Sequence, residues 1–206
     1  MQHRVANSLQ IIASILSLDA RKVHSDEARL QLNNARRRIL AVATVQQQFD
    51  ASRRDGEVEI AAYLRQLCRS LDASIVDDSA PIRIEVRADT AAVPSMMAMN
   101  VGLIVTELVI NALKHAFLAD NVHGVIVVTY QAGRYGWRLT VSDNGVGMPE
   151  GDQDTPTHLG QGSDIVAALV RQLDGRLETS RGPNGVGTAV SVFNSTEQER
   201  QLWTKC

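Results

Sequence analysis

Aromatic residues are scarce in this chain, 4% of 206 residues, so any core it builds is aliphatic; the 44% of hydrophobic residues is enough to build one. Cysteine is almost missing. Cys68 and Cys206 lie far apart without CxxC spacing, which excludes a disulfide framework and a cysteine metal site and fits a reducing compartment. Cys68 reads as a packing residue and Cys206 as part of a tail. Neither charge is in excess: 21 Lys and Arg against 23 Asp and Glu leave a net charge of -2, with the basic residues scattered. A nucleic-acid surface is excluded on that ground. No run approaches the ~20 apolar residues of a membrane helix and no signal-like segment opens the chain, so the segment reads as soluble and cytoplasmic, without membrane contact. Repeats and low-complexity tracts are absent as well.

What the chain has is periodicity. Val5, Leu9, Ile12 and Leu16 step by four, three and four, and Ala28, Leu32, Ala35, Ile39, Val42 and Phe49 keep the same heptad beat. Two amphipathic helices follow, joined by the short link Lys22 to Glu27, in which Ser25 before two acids reads as an N-cap. A hairpin cannot bury two wide apolar stripes by itself, so a homodimeric four-helix bundle is expected. Arg36, Arg37 and Arg38 read as a solvated helical face. The polar stretch from Asp50 to Gly56 reads as a linker, which divides the chain into a hairpin unit, 1–54, and a second unit, 55–206.

In the second unit Ile60, Leu64, Leu67 and Leu71 predict a helix, and Ile82, Ile84 and Val86 predict a strand. A long helix is predicted from about Ser95 to Phe117. Val125 to Tyr130 and Trp137 to Val141 predict a β-hairpin, and Val166 to Leu173 a helix capped by Asp174-Gly175. Strands at Arg176 to Thr179 and Thr188 to Phe193 complete an order that implies α+β architecture, a mixed sheet with helices on one face. The Gly, Asp, Pro and Thr cluster from Pro149 to His158 reads as a mobile loop, and the polar segment from Ser195 as a tail.

Chemistry concentrates in a few blocks. Glu107, Asn111, Lys114 and His115 share one helix face, a polar stripe suited to a metal-bound polyphosphate. Asn111 offers an amide oxygen suited to Mg²⁺, Glu107 a carboxylate for a metal-bound water, and Lys114 or His115 positive charge for phosphate. Asp143 ends a strand before Asn144-Gly145-Val146-Gly147, where a carboxylate can accept from the exocyclic amine of adenine and glycines let backbone approach; Asp-Asn-Gly is also ordinary turn chemistry. Gly160 and Gly162 open a helix N-terminus toward phosphate, and Thr188, after Gly185-Val186-Gly187, can reach the adenine edge, although a plain hairpin turn explains that stretch equally well.

Taken together, these blocks resemble the N, G1, G2 and terminal glycine boxes of the GHKL ATPase superfamily. The segments ELVINALKHAF from Glu107 and SDNGVGMP from Ser142 are similar to those of sensor histidine kinases. The resemblance implies a Bergerat-type α/β sandwich that binds Mg-ATP under a lid, here Pro149 to Leu159, which is short and lacks a phenylalanine-bearing box. Met1 to Gln10 resembles the histidine box of the HWE and HisKA_2 group, HR, two residues, N, then LQ, which makes His3 the implied phosphoacceptor. Asn7, one turn on, is placed to orient a water toward a phosphoaspartate. Ala6 stands where the group usually has lysine, and Arg4 follows the histidine where many other kinases have an acid, so no general base for His3 is assigned.

The resemblance implies ATP-dependent autophosphorylation of His3 and transfer to the receiver-domain aspartate of a response regulator. The alternatives are a histidine phosphotransferase or phosphatase relay without ATP turnover, and a related ATPase or a serine kinase that restrains a sigma factor. His3 falls in a first helical turn, where backbone N–H groups lack partners, so more helix and an input region are expected before Met1.

Overall fold

The structure, a computed structural model, describes residues 3–51, 56–73, 82–117, 123–134, 136–147 and 160–194, with backbone only for 3–7, 45–51, 160–163 and 184. Helices α1 (His3–Lys22) and α2 (Asp26–Ala51) form the expected hairpin. Its turn is capped as expected: the Ser25 hydroxyl accepts from the Ala28 N–H at 3.3 Å, and Asp26 and Glu27 occupy the first turn of α2. The seam departs from the expected one at Ile12. Among the described side chains of α1, Ala13 and Ala20 are buried and Leu9 and Leu16 half-buried, whereas Ile12 is exposed beside Ile11, Ile15 and Leu18. One partner helix covers one stripe, and the alanine stripe allows the closer approach. The arginine triplet is corrected too. Arg36, Arg37 and Arg38 are all half-buried because α2 packs against α4 as well as α1, and Ala41 joins the buried cluster of the second unit.

That unit opens with β1 (Glu57–Glu59) and α3 (Ile60–Asp72), continues through β2 (Arg83–Ala88), β3 (Ala92–Pro94) and α4 (Ser95–His115), then β4 (Val125–Ala132) and β5 (Trp137–Asp143). Helix α5 (Gly160–Gln172) and strands β6 (Arg176–Arg181) and β7 (Thr188–Asn194) complete it. A five-stranded sheet has the order β2-β4-β5-β7-β6. Only β2 and β4 pair in parallel; the other neighbours are antiparallel, so the sheet is mixed as expected. Strands β1 and β3 form a separate antiparallel ribbon that three-residue segments gave no periodicity to predict. Glu59 ends β1 and caps α3 as well, its carboxylate accepting from the N–H groups of Ala61 and Ala62 at 2.8 Å each.

The core lies between the sheet and α3, α4 and α5. Ile126, Val128 and Tyr130 of β4, Leu139 and Val141 of β5, and Val190 and Val192 of β7 share one buried cluster with the apolar faces of those helices. Ile60, Leu64, Leu67 and Leu71 all point into it, as their spacing predicts. Cys68 is packing, and burial lifts its thiol pKa to about 12, which leaves it inert. By length and composition α4 is apolar enough to cross a membrane, contrary to the sequence reading; in this fold it is the central core helix. The buried Tyr63 fills the space beside Gly102, where a Cβ would come within 1.7 Å of its hydroxyl oxygen, and its hydroxyl donates to the Ala41 carbonyl at 3.3 Å. Helices α2, α3 and α4 are thereby tied at one point.

Helix α5 ends as the Asp174-Gly175 pair suggests, but with the roles exchanged: Asp174, not glycine, takes the left-handed conformation at φ 48°, and the Gly175 N–H returns to the Val170 carbonyl at 3.0 Å. Asp174→Gly is expected to raise unfolding stability by about 1 kcal/mol, since the Cβ cost at that position disappears. Chemical denaturation followed by circular dichroism measures it; a lower midpoint contradicts the reading. The loop and lid expected at 149–159 and the tail expected from 195 lie outside the described residues.

Candidate nucleotide site

Strand β5 delivers Asp143 to the edge of the core, where it is 8% exposed. Its Oδ1 accepts from the Gly145 N–H at 3.0 Å and from the Thr188 N–H at 3.2 Å. Both bonds fall on one oxygen, so Oδ2 is the atom left for a further donor. Burial raises the Asp143 pKa above the ordinary carboxylate value, and the two backbone N–H groups pull against that rise without cancelling it.

Glycine makes this arrangement possible at two points. A Cβ on Gly145 would stand 2.2 Å from the Ala116 carbonyl oxygen, and the adjacent Val146 N–H donates to that same carbonyl at 3.0 Å. The loop after β5 is thus pinned to the C-terminal end of α4. Gly187, at φ 72°, would place a Cβ 1.9 Å from the Asp143 carbonyl oxygen, so the turn before β7 closes directly on the aspartate. Gly147 lies against Gly187 in the same cradle. Asn144, read in the sequence only as a turn residue, is a clamp: its Oδ1 accepts from the Val125 N–H at 2.7 Å and its Nδ2 donates to the His123 carbonyl at 3.1 Å, fixing the start of β4.

Helix α4 carries the polar stripe along a gradient of burial. Glu107 is buried, Asn111 and Lys114 are half-buried, and His115 is exposed. Asp143, Gly145, Gly147 and Thr188 therefore converge, and the end of α4 bearing Lys114 and His115 abuts them through Ala116. Asn111, one turn back, keeps a buried Nδ2 without a protein partner among the described residues. Gly160 and Gly162 fall in the first turn of α5, which packs on α4. His3 and Asn7 lie in the first turns of α1, and their side chains are outside the described residues.

Glu107 departs from the expected picture. Its carboxylate does not face solvent but is gripped by Arg38 of α2, whose Nε donates to Oε1 and whose Nη2 donates to Oε2 at 2.8 Å. The bond raises the Arg38 pKa further. No local pattern in the sequence pairs these residues, yet a buried carboxylate requires a cation, and that requirement was the available signal.

A strand-end carboxylate held by two glycine turns, beside a polar helix and behind a helical hairpin, defines a nucleotide-binding core of the GHKL type. Residues 98–198 match the family of histidine kinase-, DNA gyrase B- and HSP90-like ATPases, and residues 1–75 match the histidine kinase family HisKA_2. The chain belongs to the HisKA_2 histidine kinases. Blue-light-activated histidine kinase 2 of Erythrobacter litoralis is 33% identical over 98% of this chain and 58% of its own length. Sensor histidine kinase PdtaS of Mycolicibacterium smegmatis is 33% identical over 92% of this chain and 38% of its own. The chain thus spans little more than half, or less, of these relatives. Among solved structures, the histidine kinase domain of the Erythrobacter litoralis EL346 blue-light-activated kinase superimposes with a TM-score of 0.69 at 29% identity, over 95% of this chain and 98% of that one.

Proposed function

We propose that this chain is the cytoplasmic kinase core of a two-component sensor, which binds Mg-ATP, phosphorylates His3 and passes the phosphoryl group to an aspartate of a response-regulator receiver domain. The observation that carries the reading is the held Asp143 carboxylate: with Oδ1 fixed by Gly145 and Thr188, Oδ2 accepts from the adenine amine and sets the base. Thr188 borders the same edge. Phosphate would then extend along α4, where Asn111 would offer its amide oxygen to Mg²⁺, Lys114 and His115 would offset charge, and the first turn of α5 would present the N–H groups of Gly160 and Gly162. A magnesium ion held there would offset the charge that develops on the phosphate. A neutral His3 imidazole nitrogen attacks the γ-phosphorus in line; the new N–P bond forms as the bond to the ADP oxygen breaks. Asn7 orients water during dephosphorylation of the regulator. Residues 1–54 present the acceptor and 55–206 the nucleotide.

Incubation with γ-labelled ATP tests this: label that is lost in acid and absent from His3→Ala supports a phosphoramidate at His3. Label that persists in acid, or in the variant, overturns it. Calorimetric ATP binding separates the kinase from a relay protein without ATP turnover.

The exposed stripe of Ile11, Ile12, Ile15 and Leu18, continued by Leu30 on α2, supports a second copy as its cover and hence the four-helix bundle. Light scattering is expected to give a dimer mass for the wild type and a monomer mass for Ile11→Lys/Ile15→Glu, with helicity retained. A dimer in the variant removes the stripe from the interface.

A further inference from the structure

Helices α2 and α4 meet along a polar seam of which nucleotide binding as described uses Asn111 and no other residue. Arg38 and Glu107 are 69 positions apart in the chain, and the arginine fork closes on both oxygens of the carboxylate. The Glu107 side chain is 2% exposed against 34% for Arg38, so the pair is sealed at the carboxylate and open toward the surface at the guanidinium. Tyr63 fixes the direction of the contact. Its hydroxyl lies between the Ala41 carbonyl and Gly102, so α2 advances past Arg38 where α4 is still approaching Glu107, and the helices run antiparallel.

One turn before Arg38 stands Asn34, and one turn after Glu107 stands Asn111, which the antiparallel run brings to the same end of the seam. Asn34 is 4% exposed. Among the described residues its Oδ1 is buried without a partner, and so is the Nδ2 of Asn111; the two are not bonded to each other in the nucleotide-free chain. An unspent acceptor and an unspent donor thus occupy the same end of two facing helices, where each costs stability unless it is used.

We infer that Asn34 and Arg38 are positioning residues for the phosphate side of the nucleotide site, Arg38 setting the Glu107 carboxylate and Asn34 the Asn111 amide. This rests on the reading of Asn111 as the Mg²⁺ ligand. An asparagine that offers Oδ1 to a hard cation needs its amide plane fixed, and Nδ2 is the handle by which a neighbouring acceptor fixes it. Lysine cannot replace Arg38, because a point charge lacks the fork that holds both carboxylate oxygens. The helix that supplies both groups is also the one that closes the hairpin carrying His3. The register of the hairpin is thereby coupled to the orientation of the Asn111 amide.

ATP titrations by calorimetry, with Mg²⁺ and with chelator, test this on Asn34→Ala, Arg38→Lys and Asn111→Ala in the full chain. Arg38→Ala is a poor probe, since an unpaired buried carboxylate can unfold the protein. The positioning role predicts that Asn34→Ala and Arg38→Lys each lower ATP affinity about tenfold in Mg²⁺ while affinity in chelator stays within about twofold. A seam that is merely structural shifts melting temperature and leaves the Mg²⁺ increment at its wild-type size, which overturns the inference. If Asn111→Ala also leaves the increment intact, Asn111 is not the ligand and the reading beneath falls with it. An increment lost only in Asn111→Ala refutes the seam alone.

Discussion

Asp143→Asn is expected to weaken ATP binding about a hundredfold by calorimetry, the loss of one charge-assisted hydrogen bond of about 2.7 kcal/mol, with the protein still folded. The variant is close to isosteric, and its Oδ1 can keep accepting from the N–H groups of Gly145 and Thr188. The amide nitrogen must then stand where Oδ2 stood, so a donor faces the donor amine of adenine. Turning the amide over moves the clash to Gly145 and Thr188 instead. No orientation satisfies all three N–H donors, which is why aspartate rather than its amide belongs here. An affinity within threefold of wild type removes Asp143 from base recognition.

The same carboxylate sets a pH dependence. Burial holds the Asp143 pKa above the ordinary carboxylate range, and the protonated acid is a poor acceptor for the amine. ATP affinity is therefore expected to fall on acidification at a pH above the titration of an ordinary aspartate, and this step is expected to be missing in Asp143→Asn. Stability of the ligand-free protein moves the opposite way. A carboxyl whose folded pKa is raised binds its proton more tightly when folded, so its contribution declines as pH rises from the unfolded toward the folded pKa.

Much of this site was legible because its parts are local. Asp143 through Gly147, the Glu107 to His115 stripe and the Gly185 turn are each short blocks whose residue types state their own chemistry. Only the fold brings them together: the pairing of Ser142 with Ala189 sets the end of β5 beside the start of β7 and joins Asp143 to Thr188. The helices were legible for the same reason, since periodicity is a property of neighbours in sequence. Residues whose roles come from distant parts of the chain were not. Arg38 reads as solvated until α4 lies against it, and Ile12 reads as seam until Ala13 and Ala20 are seen to allow closer packing. Asp174 falls in the cap that the sequence predicts, but which of two adjacent residues takes the left-handed backbone depends on the hydrogen bond from Gly175 to Val170.

Gly187→Ala is expected to be the most damaging single methyl in the nucleotide site, lowering stability by about 4 kcal/mol and abolishing measurable ATP binding. Two costs add. The left-handed backbone at φ 72° disfavours any Cβ by about 1–2 kcal/mol. The added carbon would also stand 1.9 Å from the Asp143 carbonyl oxygen, 2.6 Å from its carbon and 2.8 Å from its Oδ1. Those are backbone and fixed carboxylate atoms, so no rotamer change relieves the overlap, and about 1–3 kcal/mol of packing strain follows. Relief requires β7 to retreat from β5, which breaks the bond between Thr188 and Asp143 and releases the carboxylate proposed to read the base. Gly185→Ala is the control within the same turn. Its φ of 75° is nearly the same, but no atom of the described residues lies within 4 Å of its Cβ position. That variant is expected to lose only the backbone cost of about 1–2 kcal/mol and to keep ATP affinity within about twofold. Equal losses in urea unfolding for the two variants would show that conformation alone, and not the closure on Asp143, makes Gly187 necessary.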